Sequence, residues 1–199
     1  MKTAPLILAS TSPYRRQLLE RLSIPFTVAN PDIDETPIIG ESPEKLVERL
    51  AIDKARKIAK NNPGAVVIGS DQVAVIAGKI TGKPGSHKAA VKQLKSVSGK
   101  EIVFYTGLCC YIAIDMGGAE DQILSAVVPF RVVFRNLNDG QIQNYLKRDK
   151  PYNCAGSFKS EGLGVVLFDR LIGDDPSALM GLPLIKLTTM LEQAGVPVV

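Results

Sequence analysis

Leu6-Ile7-Leu8-Ala9-Ser10-Thr11-Ser12-Pro13 opens with an apolar run that lacks polar alternation and closes in hydroxyls and a proline. A short apolar run of this kind fits a strand buried on both faces, as in a sheet covered by helices. Ser12 can cap a helix that takes Pro13 at its first position, and Leu18, Leu19 and Leu22 then fall on one buried stripe. Strand, hydroxyl-rich turn and helix in that order put the chain in the α/β class.

The pattern recurs along the sequence. Phe26 to Ala29 reads as a second strand, followed by the acidic loop Asp32-Ile33-Asp34-Glu35 between Pro31 and Pro37. Ser42-Pro43 repeats the cap-plus-proline signal and starts a helix to about Asn61. On that helix Lys54 shares the apolar stripe of Val47, Leu50, Ala51 and Ile58, so it either snorkels to solvent or points at something anionic. Ala65 to Gly69 is another buried strand whose end delivers Ser70-Asp71-Gln72, and the carboxyl ends of such strands favour ligand sites. Gly82-Lys83-Pro84-Gly85 is a loop before a helix capped by Ser86, with His87 in its first turn on the surface.

Ile102 to Asp115 and Ile123 to Arg135 are β-rich and joined through Met116-Gly117-Gly118, which predicts an antiparallel hairpin. A helix from Asn138 to about Arg148, a late strand over Gly164 to Phe168 and a closing helix over Leu182 to Ala194 complete the chain. The expectation is a mixed β-sheet with flanking helices, in a single domain spanning residues 1–199.

With 199 residues, 45% of them hydrophobic and 22% charged, the chain has the composition of an ordinary globular protein. Twenty-four Lys+Arg against 20 Asp+Glu leave a net charge of +4, too weak and too evenly spread for a nucleic-acid groove. No apolar run reaches the roughly 18 residues of a membrane span, and residues 1–10 lack a signal-peptide pattern, so the expected location is cytoplasmic. Cys109, Cys110 and Cys154 have neither disulfide-framework nor zinc spacing and read as reduced thiols.

The unusual polar residues collect in loops. A helix start rich in hydroxyls, with Arg15 and Arg16 one turn in, offers backbone N–H groups, side-chain donors and a favourable dipole to a phosphate. The same letters also describe a well-capped helix with solvated arginines. Glu35 and Asp71 are hard oxygen donors of the kind Mg²⁺ or Mn²⁺ takes while also holding substrate phosphates. Walker A, GxGxxG, HExxH and GxSxG patterns are absent, which removes most P-loop, Rossmann, zincin and α/β-hydrolase readings.

Leu8-Ala9-Ser10-Thr11-Ser12-Pro13-Tyr14-Arg15-Arg16, Asp34-Glu35, Lys54, Gly69-Ser70-Asp71-Gln72, Gly82-Lys83-Pro84 and Asp175-Pro176-Ser177-Ala178-Leu179-Met180-Gly181-Leu182-Pro183-Leu184 together resemble the Maf family of nucleoside triphosphate pyrophosphatases. The matching blocks run in order from first strand to last helix. The resemblance implies a two-lobed fold related to inosine triphosphate pyrophosphatase with a central cleft, a divalent metal (Mg or Mn), frequent homodimers, and cleavage of a nucleotide between its α and β phosphates.

Tyr14, Gln72 and Glu161 stand where the members acting on dTTP and UTP carry Arg, Thr and Gln; this combination resembles the branch described as 7-methyl-GTP pyrophosphatases. Chemistry points the same way. A carboxylate such as Glu161 can accept both the N1–H and the N2 amino group of guanine, and an aromatic face such as Tyr14 gains about 0.5–2 kcal/mol against a cationic, N7-methylated base. Tyr14 as simple packing and Glu161 as a solvated carboxylate is the plainer alternative.

The implied roles are Asp71 as proton acceptor, Glu35 and Asp71 as metal ligands, Arg15, Lys54 and Lys83 as charge-neutralising groups, Ser10 and Ser12 as phosphate-positioning groups, and Tyr14, Gln72 and Glu161 as base-selecting groups. Asp174 and Asp175 either shape the site's C-terminal part or cap the turn that follows. Two competing functions stay in view: a broader house-cleaning pyrophosphatase for other modified nucleotides, and a nucleotide-binding regulator linked to septum formation.

Overall fold

A computed structural model describes residues 4–114 and 120–199. Its sheet is seven-stranded and mixed, in the order β2-β1-β3-β5-β6-β7 with β4 paired to β3. The strands are β1 (Leu6–Ala9), β2 (Thr27–Ala29), β3 (Val66–Ile76), β4 (Lys79–Thr81), β5 (Glu101–Ile112), β6 (Gln122–Phe134) and β7 (Phe168–Ile172). The α-helices are α1 (Pro13–Glu20), α2 (Pro43–Ala59), α3 (His87–Val97), α4 (Asp139–Asp149), α5 (Pro176–Leu179) and α6 (Leu184–Gln193). β1 is parallel to β2 and β3, whereas β3–β4 and β6–β7 are antiparallel. Met116-Gly117-Gly118, the turn of the expected hairpin, lies outside the described residues.

The chain divides into two compact units. The first comprises Met1–Gln72, Thr106–Val128 and Asp175–Val199. Successive residues of a strand face opposite sides of a sheet, and the core follows that alternation. Leu6, Leu8, Val66, Ile68, Leu108 and Cys110 pack with Leu18 and Leu19 of α1 and Leu187, Met190 and Leu191 of α6. Ile7, Ala9, Val67, Cys109 and Tyr111 pack with Ala51, Ala55 and Ala59 of α2. The adjacent cysteines therefore face opposite layers, and both are free and buried.

That second layer is thin. A Cβ on Gly69 would lie 2.0 Å from the carbonyl oxygen of Ala51, and one on Gly107 would lie 2.1 Å from that of Val47. Small residues on α2 and side-chain-free positions on β3 and β5 let the helix backbone settle directly on the sheet, carrying Lys54 with it.

The second unit comprises Val73–Tyr105 and Pro129–Asp174. Its core includes Phe104, Phe134, Phe158 and Phe168, whose rings meet edge to face. His87 opens α3 half-buried, its Nδ1 3.0 Å from the Tyr152 hydroxyl and its Nε2 2.8 Å from Gln143 Oε1, so it packs between two polar partners instead of facing solvent.

Two expectations need correction. Ser70-Asp71-Gln72 does not end its strand, because β3 continues to Ile76 and pairs with β4. The parallel neighbour is what stops: β1 ends at Ala9 opposite Gly69, so Ser70 onward passes beyond the end of β1. The late strand is Phe168–Ile172, not Gly164 to Phe168. Leu163–Leu167 forms a 3₁₀ turn because Gly164 closes against the Lys159 carbonyl, and Val165 and Val166 face solvent where a buried strand would have hidden them. The short helix α5, within what reads as the approach to the closing helix, was not anticipated.

Candidate active site

The alternation of β3 sorts its three polar residues. Ser70 and Gln72 share the face covered by α1 and α6, and Asp71 faces α2. On that side Lys54 descends from the closely seated helix. Its ammonium lies 2.6 Å from Asp71 Oδ1 and 2.6 Å from Glu35 Oε1, the latter reaching in from the loop after β2. Lys54 is only 5% exposed, so it does not snorkel. Removing an ammonium from water is tolerable here because two carboxylates replace the lost hydration.

On the other face the site side chains engage one backbone segment. The Ser70 hydroxyl lies 2.8 Å from each of the carbonyl oxygens of Gly107 and Gly181, between which its one proton is shared. Gln72 donates its amide hydrogens to Thr106 Oγ1 at 2.9 Å and to the Ala178 carbonyl at 2.8 Å, with the Leu179 carbonyl at 3.2 Å. Thr106 donates in turn to the Ala178 carbonyl. Among the described residues these bonds use Gln72 Nε2 alone, and its Oε1 is the acceptor it could offer another molecule.

Within α1, Ser12 caps the helix by accepting from the Arg15 N–H. Ser10 is buried and accepts from the Ser12 N–H, while Arg15 Nη1 lies 3.5 Å from its hydroxyl. Arg15 is half-buried and donates Nε–H to the Gly181 carbonyl at 2.8 Å. Desolvation pulls its pKa below the ordinary arginine range, opposed by the nearby charges of Asp71 and Glu35. Arg16 turns instead to Glu20 on the exposed side of α1. Tyr14 sits half-buried in the first turn.

The first unit thus brings together Ser10, Ser12, Arg15, Glu35, Lys54 and Asp71, with Tyr14 and Gln72 on the same strand–helix framework. Lys83 and Glu161 belong to the second unit, and both are exposed. The Gly82 carbonyl beside Lys83 accepts from Gln93 Nε2, and Ser157, in the loop carrying Glu161, donates to Gln93 Oε1. One glutamine amide therefore ties both loops to α3.

Sequence reasoning gave Thr106 no place. It is a fully buried hydroxyl within an otherwise apolar strand, and that anomaly was its only signal. Asp175 caps the following turn: its carboxylate accepts from the N–H groups of Ser177 and Ile185.

Glu35 and Asp71 supply oxygens that converge on one point, now held by the Lys54 ammonium, as the hard donors of a small divalent cation would. Among the described residues no group of three or more His, Cys, Asp and Glu side chains is placed to hold a metal. A two-carboxylate set suits an ion whose other ligands are phosphate and water. No helix among the described residues is long and apolar enough to cross a membrane.

Known proteins resemble the chain over nearly its whole length. The chain is 56% identical over 193 residues to the 7-methyl-GTP pyrophosphatase of Nitrosococcus oceani, covering 97% of this chain and 94% of that one. It is 53% identical over 198 residues to the protein of the same name from Colwellia psychrerythraea, covering 100% and 96%. Among solved structures, a HAM1 protein from Coxiella burnetii superposes with a TM-score of 0.52 at 17% identity, covering 96% of this chain and 100% of that one, which shows the fold. The family described as Maf-like protein matches residues 5–194, and the chain belongs to it.

Proposed function

We propose that this protein hydrolyses 7-methyl-GTP to 7-methyl-GMP and pyrophosphate in the cytoplasm. The observation that carries the reading is the convergence of Lys54, Asp71 and Glu35 beside the pinned Arg15, which is an anion-handling site with a base in it, in a chain whose relatives bear that enzyme's name.

In this reading a water oxygen attacks the α-phosphorus, the bond from that phosphorus to the bridging oxygen breaks, and pyrophosphate leaves. Asp71 accepts the water's proton. Arg15, Lys54 and Lys83 counter the charge that builds on the departing pyrophosphate, and Ser10 and Ser12 orient its oxygens. Glu35 and Asp71 would hold the divalent cation, Mg²⁺ or Mn²⁺, which supplies Lewis acidity and phosphate neutralisation when bound. Lys54 then has phosphate oxygens as alternative partners to the two carboxylates. Tyr14, Gln72 and Glu161 select the base, with Gln72 presenting an acceptor.

The test is pyrophosphate release from an equimolar panel of 7-methyl-GTP, GTP, dTTP and UTP, with and without excess chelator. Preferential turnover of 7-methyl-GTP that stops with chelator and returns with Mg²⁺ or Mn²⁺ supports the reading. Equal turnover across purines makes the enzyme a broad house-cleaning pyrophosphatase, and release no faster than in protein-free buffer makes it a nucleotide binder.

A further inference from the structure

Four site side chains, Arg15, Ser70, Gln72 and Thr106, are oriented by hydrogen bonds to carbonyl oxygens within residues 178–181, a segment held by its own backbone turns and by the side chains of Asp175 and Ser177. Asp175, 4% exposed, accepts from the Ser177 N–H at 2.9 Å and from the Ile185 N–H at 2.8 Å, and also from the Ser177 hydroxyl. Ser177 Oγ in turn accepts from the Leu184 N–H at 2.7 Å. One carboxylate therefore satisfies the start of α5 and, directly and through Ser177, the start of α6. Residues 180–183 join two helices whose starts are clamped to the same anion.

The Gly181 carbonyl lies between the two helix starts that the clamp joins, with the Gly181 N–H on the Ala178 carbonyl and the Leu182 N–H on the Ser177 carbonyl. At Gly181 φ is +101°, a conformation that L side chains rarely adopt, and a Cβ there would stand 3.3 Å from Arg15 Nε. The carbonyl so presented takes the Nε–H of Arg15, which leaves the two terminal nitrogens of the guanidinium aimed by a fixed plane.

We propose that Asp175 and Ser177 are positioning residues for catalysis: their clamp holds the Gly181 carbonyl as the index against which Arg15 is oriented toward the leaving pyrophosphate. This rests on the role given to Arg15 above. Asparagine at 175 keeps the size but offers an NH₂ group where one set of donors requires an oxygen, so the segment loses one end of its clamp. Misplacing a charge-stabilising group by about 1 Å can cost up to about 100-fold in rate.

The experiment is a double-mutant cycle of Asp175→Asn with Arg15→Lys, which keeps the cation but has no Nε–H to index, assayed well below each variant's Tm. Asp175→Asn is expected to lower kcat about 10-fold or more with KM within about 3-fold, and to add less than about 2-fold once Arg15→Lys is present. Factors that simply multiply, or wild-type turnover of folded Asp175→Asn despite a lower Tm, would overturn the proposal. Should Asp175→Asn not fold, Ser177→Ala takes its place, with the same outcomes at smaller amplitude.

A readout independent of turnover is the Arg15 Nε–H resonance. It is expected to exchange slowly with solvent in the wild type and rapidly in Asp175→Asn or Ser177→Ala; unchanged exchange overturns the clamp as Arg15's index. Protection that depends on Asp175 in a protein releasing no pyrophosphate would overturn both the functional reading and the catalytic proposal resting on it, leaving the clamp as a structural device.

Discussion

Asp71→Asn keeps an oxygen for Lys54 while removing the carboxylate proposed to take a proton, so its effect should fall on turnover and not on the fold. A fall of about 10²–10⁴-fold in kcat is expected, with nucleotide affinity largely retained. Near-normal pyrophosphate release by this variant would remove Asp71 from its role. Glu161→Gln tests the proposed base-selecting role. Swapping one acceptor oxygen for a donor should reduce kcat/KM on 7-methyl-GTP by about 5- to 150-fold, the rate equivalent of mispairing a buried donor at about 1–3 kcal/mol, and should leave UTP turnover alone. Equal losses on both nucleotides would place Glu161 with the phosphate machinery. The burial of Lys54 against Asp71 was legible in part, because a lysine on an apolar helix stripe either snorkels or meets an anion, and here it meets two. Thr106 was not, because a hydroxyl serving a neighbouring glutamine has no pattern of its own.

At the scale of elements, the seating of α2 decides whether Lys54 reaches Asp71. Gly69→Ala would put a methyl group 2.0 Å from the Ala51 carbonyl, so the helix must move outward. Overpacking of this kind costs about 1–3 kcal/mol, and each kcal/mol lowers Tm by about 2–4 °C in a chain of this size. The same shift should cut kcat, because Lys54 moves with its helix; a stable Gly69→Ala protein with wild-type kinetics would refute the link. The strands and helices at the start of the chain could be read from the sequence because caps, prolines and apolar runs agreed at Ser12-Pro13 and Ser42-Pro43. Val165 and Val166 misled because β-branched residues in a short apolar run look the same on a tight exposed turn as in a buried strand. The extension of β3 past Gln72 was hidden because the polar triplet interrupts the apolar run, and the pairing with β4 that goes with it has no apolar run of its own to announce it.

On the scale of the whole molecule, the two layers of the first unit enclose thiols that titrate only when the chain opens. Burial pushes Cys109 from its ordinary 9.0 up to about 12, and Cys110 further still. A group whose folded pKa is raised contributes fully below its unfolded value and loses that contribution as pH climbs toward the folded one. Unfolding free energy should therefore decline as pH rises above about 9, and replacing both cysteines by Ala should flatten that decline. Urea melts at several alkaline pH values would show it, and parallel declines in both proteins would exclude the thiols as its cause.

The first unit takes in the start of the sequence, part of β5 and β6, and Asp175–Val199. Such an order has a temporal meaning on the ribosome, where the chain emerges from its N-terminus. β1 meets β3 early, but the carbonyls that receive Arg15 and Gln72, and the α6 face that covers Leu6 and Leu8, are made only after both segments of the second unit. Until then α1 alone can cover that strand face, so an emerging chain is expected to carry exposed apolar surface that the folded protein does not.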